Sequence, residues 1–138
     1  MMPESFVPVA VADASALVEL LLGTPTGRRV GEVLRGQAVA VPGHADAEVL
    51  SALGRLVRGR EITAVRADAA LRSLARAPFE RYHVHPLLEE SWSMRRNVAL
   101  RDALYVALTR RLEGSLITTD APLSRVRGLG VSVVLIRA

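Results

Sequence analysis

The chain contains no cysteine and no lysine. Without cysteine there is neither a disulfide framework nor a thiolate metal site, and a cytoplasmic home is the default expectation. No stretch approaches the roughly 18 consecutive apolar residues that a membrane span requires. Residues 1–15, MMPESFVPVAVADAS, are apolar but carry Glu4 and Asp13 and lack a basic leading segment, which argues against a signal peptide. GxGxxG, P-loop and GxSxG patterns are all missing. Their absence removes the dinucleotide, nucleoside-triphosphate and hydrolase-elbow readings.

What is present is ordinary globular material. The chain has 138 residues, half of them hydrophobic and 23% charged, enough for one domain over 1–138 with a real core. The 18 basic residues, all arginine, outnumber the 14 acidic ones for a net charge of +4. Arginine reads phosphate well, but an arginine-only complement is equally what a GC-rich coding bias produces. Charge by itself assigns no nucleic-acid partner.

Short apolar runs alternate with helical patterns. Residues 6–11 (FVPVAV), 37–41 (QAVAV), 81–84, 115–118 (SLIT) and 131–136 (VSVVLI) read as strands. Helical patterns fall at 16–22 before Gly23, at 26–35, at 44–58 before Gly59, at 63–77 before Pro78, and from Pro86 through Leu87, Leu88, Trp92 and Met94. One more begins at Asp102 and ends at Gly114; it is apolar on most of its faces and so predicted to be largely buried. With no repeat, linker or low-complexity tract, this order predicts a single three-layer α/β/α domain. Its short parallel sheet would be covered by helices on both faces.

Four acids fall at comparable places. Asp13 and Asp120 follow strands and precede helices, Glu48 lies early in the helix after the second strand, and Asp102 opens its own helix. Ligands of open parallel sheets bind outside the carboxyl ends of the strands, and all four acids can reach that end. Gathered carboxylates repel unless a cation neutralises them, and Mg²⁺ or Mn²⁺ suits an all-oxygen donor set. The matching reaction class is metal-assisted phosphodiester hydrolysis, in which water on the cation attacks and no side chain need do so. Each acid also has a plain structural reading: the aspartates as helix N-caps, Glu48 as the flank of a helix face.

At these residues the chain resembles the PIN-domain ribonucleases, and among them the VapC toxins of bacterial VapBC toxin–antitoxin pairs. Four blocks carry the resemblance in order: VADASALVELLL (11–22), DAEVLSALGRLVRGREI (46–62), RDALYVAL (101–108) and LITTDAPL (116–123). It implies Asp13, Glu48, Asp102 and Asp120 as catalytic metal ligands, with Ser15, Asn97 and Thr118 orienting carboxylates or waters behind them. It further implies a Mg²⁺- or Mn²⁺-dependent endoribonuclease, homodimeric and held inactive by a cognate VapB-type antitoxin. Some relatives carry another acid shortly after the fourth, whereas Leu123 and Ser124 stand here. A second metal would then bind weakly, or only with RNA present.

Other residues are set aside. His83 and His85 alternate as strand ligands might but lack a third ligand. His44 reads as a solvated residue at a helix start and Asp46 as a surface or cap residue. Trp92, Met94, Leu87 and Leu88 read as core or dimer contact. Arg95 and Arg96 are the candidates for the RNA backbone, chosen for their closeness in sequence to Asn97 and Asp102. Two rivals remain: a catalytically silent PIN-like module that binds RNA or protein, and a receiver-like domain. The second is disfavoured because receivers place a lysine beside the phospho-acceptor.

Overall fold

Short apolar tetrapeptides make the centre of the sheet. In a computed structural model that describes residues 6–138, the strands are β1 (Val9–Ala12), β2 (Ala38–Pro42), β3 (Glu80–Tyr82), β4 (Ser115–Thr118) and β5 (Ser132–Leu135). Residues 1–5, with Glu4, lie outside the described residues. All pairings are parallel and the order is β3-β2-β1-β4-β5. β1 and β4 are buried along almost their whole length, as expected of strands covered on both faces.

Strand bounds differ from the sequence reading at every strand but β4, most notably at the first and third. The first strand starts at Val9 rather than at residue 6, and Phe6 and Val7 are exposed. Pro8 can only accept: its carbonyl takes the Ala38 N–H at 2.8 Å, so pairing begins where its missing N–H is not needed. The third strand is Glu80–Tyr82, three residues at the sheet edge, and leaves out His83 and Val84. A 3₁₀ turn (His85–Leu87) follows it.

The helices are α1 (Ala14–Leu22), α2 (Pro25–Leu34), α3 (Ala45–Arg58), α4 (Ala64–Arg76), α5 (Leu88–Ser93), α6 (Leu100–Leu112) and α7 (Ala121–Ser124). Their ends follow local chemistry. Asp13, Thr24, Thr63 and Asp120 each accept a backbone N–H as N-cap of α1, α2, α4 and α7. Gly23 closes α1 in the left-handed conformation at φ 65°. α6 packs on β1, β2 and β4, with α5 against it; α1 contacts β4 and is surrounded by α2, α3 and α4. The architecture is α/β with helices around a parallel sheet, as the pattern predicts. α6 is buried through Ala103, Tyr105, Val106, Ala107, Leu108 and Thr109. Of the apolar group near α5, Leu87 and Met94 join the core while Leu88 and Trp92 stay exposed. No helix among the described residues is long and apolar enough to cross a membrane.

The α1–α2 crossing has no room for a side chain at Gly27, where a Cβ would lie 1.8 Å from the Glu19 carbonyl oxygen. Both partners are backbone, so neither can rotate away. Gly27→Ala is expected to destabilise the protein by about 1–3 kcal/mol. Urea unfolding measures it, and an unchanged midpoint would contradict this close crossing.

Candidate active site

Because the strands are parallel, their carboxyl ends share one edge, and β1 lies between β2 and β4. The connection from β1 runs to β2 on one side and that from β4 runs to β5 on the other, which opens a crevice between β1 and β4 at that edge. Asp13 follows β1 directly and is 4% exposed. Its carboxylate is met by donors on every side. Oδ1 accepts the Ser15 hydroxyl at 2.6 Å and the Ala16 N–H at 3.0 Å. Oδ2 accepts the Thr118 hydroxyl from the end of β4. The donors return the favour to the neighbouring loop: Thr119 N–H donates to Ser15 Oγ and Asp120 N–H to Thr118 Oγ1, both at 3.0 Å. Asp120 in turn caps α7 through Leu123 N–H at 3.2 Å.

Glu48 comes from the start of α3. Its Oε1 accepts the Tyr105 hydroxyl at 2.7 Å and lies 3.3 Å from His44 Nε2. His44 Nε2 is also 3.1 Å from the Arg101 carbonyl oxygen, and its Nδ1 is buried with no partner. Asp102 does not cap α6, as the sequence reading allowed. Ala99 holds that position, and Asp102 sits in the first turn with its side chain turned to the crevice. The four acids line one cleft of about 740 Å³ together with Ser15, His44, Arg101 and Tyr105. The cleft continues along α3 past Ser51 and Arg55 to Glu61.

The electrostatics follow from this crowding. Burial pushes the Asp13 carboxyl above the usual carboxylate range, against the pull of Ser15, Thr118 and Ala16. Asp102 is pushed up to about 6, first by burial and then by the charge of Asp13. Asp120 and Glu48 add to the rise, while Arg101 opposes it. Tyr105 is driven far up by burial and by Glu48, so its hydroxyl stays a donor.

An all-oxygen set with surplus negative charge is the chemistry a hard divalent cation relieves. As placed, no three carboxylate or imidazole groups among the described residues converge closely enough to enclose one. The donor chemistry of the four acids is nonetheless the kind such a cation takes.

Several residues behave otherwise than the sequence suggests. Asn97 is exposed, makes no side-chain hydrogen bond among the described residues and does not line the cleft. Arg95 and Arg96 are exposed and lie off the cleft lining; Arg95 stacks over Trp92, 4.9 Å from the ring centre. The arginines that do line the cleft are Arg55 and Arg101. Asp46 is a surface partner of Arg81 at 2.7 Å, as read. His44 lines the cleft rather than standing in solvent, a placement signalled only by its spacing of four residues from Glu48. Tyr105 was missed, although a hydroxyl-bearing ring on a buried helix demands a partner. It stands three residues from Asp102, on the same helix face.

Comparison with known proteins agrees in its outline. The family model described as PIN domain matches residues 10–129. The chain is 44% identical over 116 residues to Ribonuclease VapC3 of Mycobacterium tuberculosis, covering 83% of this chain and 85% of that protein. Among solved structures it resembles PAE2754 from Pyrobaculum aerophilum, with TM-score 0.66 and 21% identity over 91% of this chain and 83% of that one. It also resembles VapBC2 from Rickettsia felis bound to a promoter DNA fragment, with TM-score 0.65 and 10% identity over 94% and 99%. At such identities these two structures show the fold alone.

The Asp102 shift has a sign that can be checked. Its carboxyl titrates near 6 in the fold against 3.8 ordinarily, so between those values the folded chain holds a proton that the unfolded chain has lost. Stability therefore falls as pH rises through this window, and the penalty is complete by neutral pH. Its ceiling is about 3 kcal/mol, which solvent screening at a half-buried carboxylate reduces to about 1 kcal/mol. In chelator, Asp102→Asn is expected to gain about that much at pH 7 and almost nothing at pH 4. Denaturant midpoints at the two pH values decide it, and a variant less stable at pH 7 would contradict the crowding.

Proposed function

The chain belongs to the PIN domain family, among its VapC-type ribonucleases, and from that premise we propose an endoribonuclease that hydrolyses RNA phosphodiesters with Mg²⁺ or Mn²⁺. The observation that carries the reading is the cleft itself. Four carboxylates from four separate segments line one crevice, and burial, then the charge of Asp13, pushes Asp102 up to about 6. A stable fold does not gain from such crowding, since like charges in partial burial only cost free energy.

Asp13, Glu48, Asp102 and Asp120 would hold the cation. When bound, it supplies Lewis acidity that makes water a competent nucleophile and offsets charge developing on the phosphate. The chain's own residues do the positioning. Ser15 and Thr118 donate to Asp13 and fix its plane. Arg101, largely exposed beside Glu48, and Arg55, bound to Ser51 Oγ at 2.9 Å, put positive charge on the cleft wall where phosphates would pass. These replace Arg95 and Arg96 as the backbone contacts. A cognate VapB-type antitoxin would restrain the enzyme, and a homodimer would be its assembled form. The name of a similar protein, Ribonuclease VapC3, supports the ribonuclease assignment.

The purified chain is expected to cut a panel of structured RNAs at defined sites with Mg²⁺ or Mn²⁺. Chelator, Asp13→Ala or Asp102→Asn should lower the rate at least about 100-fold, in line with losses on removing charge-stabilising groups. Circular dichroism of the variants checks that the fold survives. RNA binding indifferent to chelator and to both substitutions, without cleavage, would instead identify a silent binding module. Arg101→Ala should weaken RNA binding with a shallower salt dependence; an unchanged salt slope would exclude it from the phosphate path.

A further inference from the structure

This inference rests on the functional reading above and concerns how Glu48 is aimed. Glu48 carries a long carboxylate, and its side chain is 22% exposed, so nothing in α3 alone selects its rotamer. Its two oxygens are treated very differently. Oε1 is held from the protein side by the Tyr105 hydroxyl at 2.7 Å, with His44 Nε2 at 3.3 Å. Oε2 has only Arg101 Nε at 3.9 Å, from a side chain that is 74% exposed.

Tyr105 is itself fixed. It is 1% exposed in the core of α6, and Glu48 is the sole hydrogen-bond partner of its hydroxyl among the described residues. The His44 ring lies 4.9 Å from the Tyr105 ring, tilted by 49°, and closes the other side. A phenylalanine at 105 would fill the same core space. It would leave Glu48 free to turn toward Arg101 and form a closer ion pair that withdraws the carboxylate from the cleft.

We propose that Tyr105 is the positioning residue for Glu48: its hydroxyl holds Oε1 so that Oε2 is presented to the cleft for a divalent cation. One helix then supplies both an acid, Asp102, and the group that aims a second acid from α3. Partners that orient ligands in this way are worth about 10–100-fold in metal affinity.

The test is Mn²⁺ binding to the full chain, followed by electron paramagnetic resonance, for the unaltered protein, Tyr105→Phe, Glu48→Gln and the double variant. Tyr105→Phe should bind Mn²⁺ about 10-fold more weakly, with its thermal midpoint in chelator little changed. The double variant should bind no more weakly than Glu48→Gln, because Tyr105 acts through Glu48. Unaltered affinity in Tyr105→Phe, or independent losses that multiply in the double variant, would overturn the proposal. A second readout needs no substitution. The Tyr105 ring-carbon resonance next to the hydroxyl should shift on Mg²⁺ titration while that of Tyr82, the other tyrosine, stays still. A silent Tyr105 resonance in a protein that binds Mg²⁺ overturns the inference alone, and an unaltered protein that binds neither ion overturns the functional reading with it.

Discussion

A carboxylate that is 4% exposed must be surrounded by donors, and the Asp13 carboxylate sets what the surrounding chain can be. Three donors reach it, from α1, from the residue two along, and from the end of β4. Burying a charge without such partners costs several kcal/mol, so the ends of β1 and β4 cannot separate, and the α1 N-terminus cannot fray, without exposing that cost. The same bonds order the loop that carries Asp120. Structure and site are therefore one construction here: the cap of a helix is also the fixed wall of the cleft.

The other three acids are held less tightly. Asp120 spends one oxygen on capping a four-residue helix, Glu48 is held from behind through Oε1, and Asp102 accepts no side-chain hydrogen bond among the described residues. One rigid carboxylate faced by less constrained ones would suit capture of an ion: the rigid member would define the position, and the others would adjust as their mutual repulsion is relieved.

Much of this was legible in the chain, and the gaps have physical causes. The parallel sheet, though not its strand order, could be read from alternation of strand and helix, and the four acids from their places after strands and in early helical turns. Asp13 and Asp120 do cap their helices and also line the cleft, so a cap role does not remove either from it. Asn97 is implied by the family resemblance, and Arg95 and Arg96 only by their closeness in sequence to Asn97 and Asp102. The turn between α5 and α6 points them outward instead. Glu48 and Tyr105, 57 residues apart, meet through one hydrogen bond, and the His44 ring lies beside the Tyr105 ring. No local pattern reports such a contact. Periodicity marks Tyr105 as core, and only its hydroxyl hints that the core there has a polar edge.

If the four carboxylates form one cation site, a bound ion must lie among them. The most direct measurement is anomalous diffraction from crystals of the chain grown or soaked with Mn²⁺. A peak is expected in the cleft within ligand distance of Asp13 and at least two of Glu48, Asp102 and Asp120. A Mn²⁺ peak elsewhere on the surface, with the cleft empty at saturating ion, would contradict it.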